Sequence, residues 1–88
     1  MNTEIREVLA EAGYESATVI NDPDFDDAII GVTEDDNVVY DYGKMIEILM
    51  DDGMSRFDAI DLIQRKILPE TYRIDFNPPI IIKRLEDL

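Results

Sequence analysis

The chain has 88 residues, 45% of them apolar and 33% charged, and its 21 aspartates and glutamates outnumber 8 lysines and arginines for a net charge of −13. That length supports a single domain over residues 1–88, with one two-layer core and no deep cleft, and the apolar share is too high for a disordered polyanion. The lack of cysteine and histidine excludes disulfides, thiolate nucleophiles, Cys-ligated zinc and the usual general base at neutral pH.

The charge is unevenly placed. Residues 1–43 hold 12 acids and one base, Arg6, whereas residues 44–88 hold 9 acids and 7 bases. A one-sided negative field attracts cations or a basic partner and repels nucleic acid and anionic membrane, so neither of the latter is an expected ligand. The start, MNTEIREV, lacks the basic flank and apolar core of a signal peptide. The longest wholly apolar run, PPIII, is far below the roughly 20 residues of a membrane span. A soluble, cytoplasmic protein is expected.

In chain order, residues 3–12 read as an amphipathic helix: Asn2 or Thr3 caps it, Ile5, Val8, Leu9 and Ala12 form the buried stripe, and Gly13 stops it. Short β-branched runs follow at 17–20 (ATVI), 28–32 (AIIGV) and 38–40 (VVY), separated by the acidic clusters NDPDFDD and TEDDN. That is the pattern of a three-stranded antiparallel meander with acids gathered at its turns. Asp41 is placed to cap a helix over 42–51, and SRFD at 55–58 resembles a capping box opening a second helix over 56–67 that stops before Pro69 and buries Phe57, Ile60, Ile63 and Ile67. The two helices form a hairpin. Residues 70–76 (ETYRIDF) alternate as a half-buried strand or arm, and 80–82 are suited to an edge strand because proline at a strand start loses no ladder bond. The expected class is α+β: N-terminal helix, three-stranded antiparallel meander, helical hairpin and a C-terminal strand or arm.

Catalytic signals are missing. Ser16 and Ser55 have no base, the glycines form no phosphate-binding loop, and carboxylate pairs such as Asp24 with Asp26 or Asp51 with Asp52 sit in turns without a pocket; no enzymatic activity and no cofactor are expected. Asp22, Asp24 and Asp26 occupy positions 1, 3 and 5 of an EF-hand loop, but position 6 is Asp27 instead of glycine and position 12 is Thr33 instead of glutamate. Calcium is therefore not assigned, and a calcium-dependent switch stays a question for chelator titration. Turn chemistry accounts for one or two acids per loop. Three or four without a cation repel one another, which makes sense if something positive docks there. If β-strand geometry continues through Tyr42, that tyrosine lies exposed beside the acids, where a rigid ring suits an interface. The bases Arg56, Arg65, Lys66 and Arg73 fall on outer faces and pair internally by default.

The run VVYDYGKMIEILMDDGMSRFDAIDLI, with PPIII near the end, resembles small acidic phage and prophage proteins. Similarity to that group implies an anti-CRISPR or anti-restriction inhibitor that imitates DNA and occupies the basic nucleic-acid channel of a CRISPR nuclease or similar defence effector; for the oligomeric state, monomer and homodimer both stay open. Alternate strand residues lie about 6–7 Å apart, so Asp22, Asp24 and Asp26 could line up like phosphates. The expected contacts are Asp22, Asp24, Asp26, Asp27, Glu34, Asp35, Asp36 and Asp41, with Tyr42 as an aromatic anchor. The alternative is a small adaptor or self-associating module that exposes Met45, Met50, Met54 and Phe57 on the helical hairpin.

Overall fold

The computed structural model describes residues 3–13, 18–20 and 23–87. Among them lie helix α1 (Thr3–Glu11), a 3-10 segment (Pro23–Ala28), strands β1 (Ile29–Val32) and β2 (Val38–Asp41), and helix α2 (Tyr42–Asp51). Then come α3 (Arg56–Leu62), a π-helical stretch (Ile63–Ile67), α4 (Leu68–Tyr72), strand β3 (Ile80–Ile82) and a last 3-10 turn (Leu85–Asp87). The class is α+β, with one mixed sheet in the order β1-β2-β3.

The sheet departs from a pure meander. β1 and β2 pair antiparallel, but the third strand is β3, which runs parallel to β2 with Val39 opposite Ile80 and Asp41 opposite Ile82. The anticipated first strand is absent at Thr18–Ile20, and Ala17 lies outside the described residues. These residues are held without a ladder: the Ile20 N–H donates to the Tyr40 hydroxyl at 2.9 Å, and the Thr18 hydroxyl donates to the Phe76 carbonyl at 3.0 Å. On β2 the period of two is plain, with Val38 and Tyr40 fully buried and Val39 between them only half-buried. The inward side chains meet Met45, Ile46 and Leu49 of α2, Ala59 and Ile63 of the next helix, and Phe25 and Ala28 in one core. Each large side chain so buried stabilises the fold by about 1.5–3 kcal/mol.

Helix ends follow the local chemistry. Asp41 Oδ1 accepts from the Gly43 and Lys44 N–H groups, and Ser55 Oγ accepts from the Asp58 N–H at 3.1 Å, so both anticipated N-caps form. α2 closes in a Schellman motif, with Gly53 at φ +105, its N–H on the Met50 carbonyl and the Met54 N–H on the Leu49 carbonyl. In α1 the stripe is thinner than its spacing suggests: Leu9 packs on the core while Val8 and Ala12 are exposed, and Ile5 lies outside the described side chains.

The helix from Arg56 overrides two expectations. It passes Pro69 and ends at Tyr72, so residues 70–72 are helical and not strand. Its buried face is Ala59, Ile63, Ile67 and Thr71, leaving Phe57 78% exposed and Ile60 half-buried. Steps of four overshoot an α-helical turn by about 40° each, so three steps would carry Thr71 about 120° off the face. A π turn absorbs about one extra residue, or roughly 100°, and brings it back. The Leu68 N–H bonds the Ile63 carbonyl five residues earlier, and this widened turn directly before Pro69 accommodates a ring and a missing donor that a regular helix rejects.

Candidate functional site

The first acidic cluster is a helix turn. In a 3-10 helix side chains at i and i+3 eclipse, so Asp24 and Asp27 point out together while Phe25 and Ala28 point into the core. Asp26 follows the inward side and is 0% exposed, and it is partnered within the fold. The alternate-residue row of Asp22, Asp24 and Asp26 therefore does not form; Asp22 lies outside the described residues. Its replacement is the pair Asp24 and Asp27, about 6 Å apart by the 3-10 rise. Phe25, alone among acids, was the available sign that this loop turns one side inward.

The second cluster is the β1–β2 turn. Here the polar scaffold is Thr33 and Asn37: the Thr33 N–H donates to the Asn37 carbonyl at 2.8 Å, and the Asp35 and Asn37 N–H groups donate to Thr33 Oγ1 at 3.2 and 3.1 Å. Asn37 Nδ2 reaches the Pro78 carbonyl at 2.9 Å and ties the turn to the approach of β3. Glu34, Asp35 and Asp36 are exposed, and no carboxylate among them takes part in these bonds. Asp36 sits at φ 68, a left-handed conformation that aspartate adopts at less cost than most residues but glycine adopts freely. Asp36→Gly is expected to raise stability by about 0.5 kcal/mol, relief of roughly 1 kcal/mol of strain being partly offset by a freer unfolded chain. Thermal melts check this, and a lowered melting temperature would show that the turn needs the carboxylate.

Asp41 and Tyr42 are engaged within the fold. Each is 6% exposed. Besides capping α2, Asp41 places Oδ2 2.8 Å from Nε of Arg84, which lies just beyond β3. The Tyr42 hydroxyl accepts from Gln64 Nε2 at 3.1 Å, and Lys83 Nζ lies 4.9 Å from the centre of its ring. β2 ends at Asp41 and Tyr42 begins α2, so the condition for an exposed tyrosine is not met. Asp26, Asp41 and Tyr42 therefore leave the set of available contacts in this conformation. The capping role of Asp41, legible in the sequence, already implied that helix geometry starts at Tyr42.

Asp24, Asp27, Glu34, Asp35 and Asp36 remain on the surface, in two groups at opposite ends of β1. Among the described residues no lysine or arginine lies within ion-pair distance of Asp27, Glu34, Asp35 or Asp36; the ion pairs formed are Arg65 with Asp61, and Arg84 with Asp41 and Glu86. The hairpin tip adds Asp51, Asp52 and Asp58, all exposed, which the first-half charge bias did not single out. Among the described residues no three carboxylates converge as a metal cage, and no helix is long and apolar enough to cross a membrane.

A groove of about 440 Å³ opens between residues 18–20, α2 and the long helix, lined by Val19, Ile20, Phe25, Leu49, Ile67 and Ile74 among others, with Lys66 and Glu70 in its wall. Its described lining includes one carboxylate, Glu70, and the Thr71 hydroxyl, which donates to the Leu68 carbonyl at 2.8 Å. No family profile, curated protein or solved structure matches this chain.

Proposed function

We propose that the chain is a non-enzymatic inhibitor acting in the host cytoplasm, which binds a basic nucleic-acid-handling protein of the CRISPR nuclease or restriction type by offering carboxylates where that protein takes phosphates. The observation that supports this reading is the set Asp27, Glu34, Asp35 and Asp36, exposed at both ends of β1, without an ion pair among the described residues, and left out of the hydrogen bonds that build the turn. Proteins that hold duplex DNA do so with grooves of lysine and arginine, and carboxylates with no internal cation lose no ion pair when they meet one.

The test is inhibition of DNA cleavage by purified CRISPR and restriction nucleases, compared with a variant carrying lysine at positions 27, 34, 35 and 36. Reversal at Asp26 would be uninformative, because burying a lysine there unfolds the chain. At about 0.7 kcal/mol per reversed charge the variant should bind roughly a hundredfold more weakly, with an unchanged circular dichroism spectrum. Binding should also weaken steeply from low to physiological salt. A complex indifferent to both changes sinks the reading.

One observation favours the adaptor alternative: Phe57 in the first turn of α3 is largely exposed, and Met50 near the end of α2 is exposed as well. Met45 does not belong to that surface, being fully buried, and Met54 is half-buried. Self-association through Phe57 would give a mass above 10.1 kDa that survives high salt.

A further inference from the structure

Among the described residues one face of the sheet packs on the core and the other is open over Gly31. Val38, Tyr40 and Ile81 face the core, and the register puts Gly31, Val39 and Ile80 in one row across the other face, with Ile82 beside them opposite Asp41. Ile80 and Ile82 are 37% and 38% exposed. At Gly31 a Cβ would meet nothing within 4 Å, so the row has a flat, open place where another surface can approach the backbone. The two ends of this face differ in charge. Beyond Val32 and Val38 lies the Glu34–Asp36 turn; at the other end Asp41 is closed off by Arg84.

Size and charge decide what fits. Three strands at about 4.8 Å spacing and four residues at about 3.3 Å rise give a face on the order of 150 Å², whereas a stable complex buries about 800 Å² per partner. A second copy would add another net charge of −13 to a contact too small to offset the repulsion. An occupant of opposite charge reaches from the face to the acidic turn and gains from both. We propose that this face is the apolar centre of the surface that meets the basic partner, with Glu34, Asp35 and Asp36 as its charged rim; the partner brings an aliphatic or aromatic side chain set among lysines and arginines. This rests on the inhibitor reading above. The rim governs approach and salt dependence, and the apolar centre governs residence.

Two synthetic peptides of equal charge and length serve as probes, one alternating lysine and leucine and the other lysine and serine, titrated into the full chain at low and at physiological salt. The leucine peptide should bind about tenfold more tightly, as burial of one aliphatic side chain predicts. Gly31→Gln and Val39→Thr should each cut that preference to about threefold or less while leaving the salt dependence of both peptides as in the unaltered chain. Gly31→Gln adds its side chain into open space and Val39→Thr keeps the shape of valine, so both are expected to fold. Equal affinity for the two peptides, or a preference that survives both variants, overturns the sheet-face proposal and leaves the inhibitor reading standing. Failure of both peptides to bind even at low salt overturns both.

Discussion

Asp41→Ala is expected to lower the unfolding free energy by about 3 kcal/mol, the sum of a lost helix cap at about 1 kcal/mol and a lost charge-assisted bond to Arg84 at about 2 kcal/mol. An 88-residue domain has a total of roughly 4–13 kcal/mol, so the melting temperature should fall by roughly 10–20 °C. Asp41→Asn keeps the capping oxygen and should cost about half as much. The reciprocal change Arg84→Ala leaves the Asp41 carboxylate buried but still accepting the Gly43 and Lys44 N–H groups, so its effect should fall between the two. Denaturant titration of the three variants checks the order. If Asp41→Ala were silent in stability yet abolished partner binding, the residue would be a surface contact after all.

Ile63→Ala should remove about 3–4 kcal/mol, because the side chain is fully buried in the π-helical stretch and a truncated core isoleucine leaves a cavity in addition to the lost transfer energy. Phe57→Ala should change stability by no more than about 0.5 kcal/mol, as exposed substitutions do. The contrast is informative because simple helical spacing puts both residues on one buried stripe. Equal losses at the two positions would mean that Phe57 packs on the core in solution, as its helical spacing suggests.

That pair of residues marks where the sequence stopped being readable. Capping signals act over three or four residues, so Asp41 and Ser55 announced their helix starts correctly, and the β-branched runs at 28–32 and 38–40 became strands over 29–32 and 38–41. Features set by distant partners were hidden. Nothing local at ATVI shows that the Tyr40 hydroxyl takes the Ile20 N–H in place of a ladder. Proline at 69 reads as a stop because a regular helix cannot hold it, and only tertiary packing of Ile67 and Thr71 makes the wider turn worthwhile. Among the candidate residues, the exposure of the TEDDN acids was legible because a polar turn between two β-branched runs faces solvent. Asp26 and Tyr42 were misdirected because strand alternation was assumed where 3-10 and helical phase apply, although Phe25 and the capping Asp41 carried the local signals. Nothing local in AIIGV shows which face Gly31 takes; its position on the open face emerges only from the register.

The parallel pairing of β3 has a bearing on how the molecule comes into being. Its anchor bond joins Asn37 to Pro78, 41 residues apart, and contacts so far apart in sequence form late in folding. While a ribosome is still extending the chain, β2 has β1 on one side and a bare edge on the other, and Asp41 waits for Arg84. An unpaired edge of that kind invites pairing with other nascent chains, and the close-set negative charges on the adjoining turn would hold neighbouring copies apart until the last strand emerges.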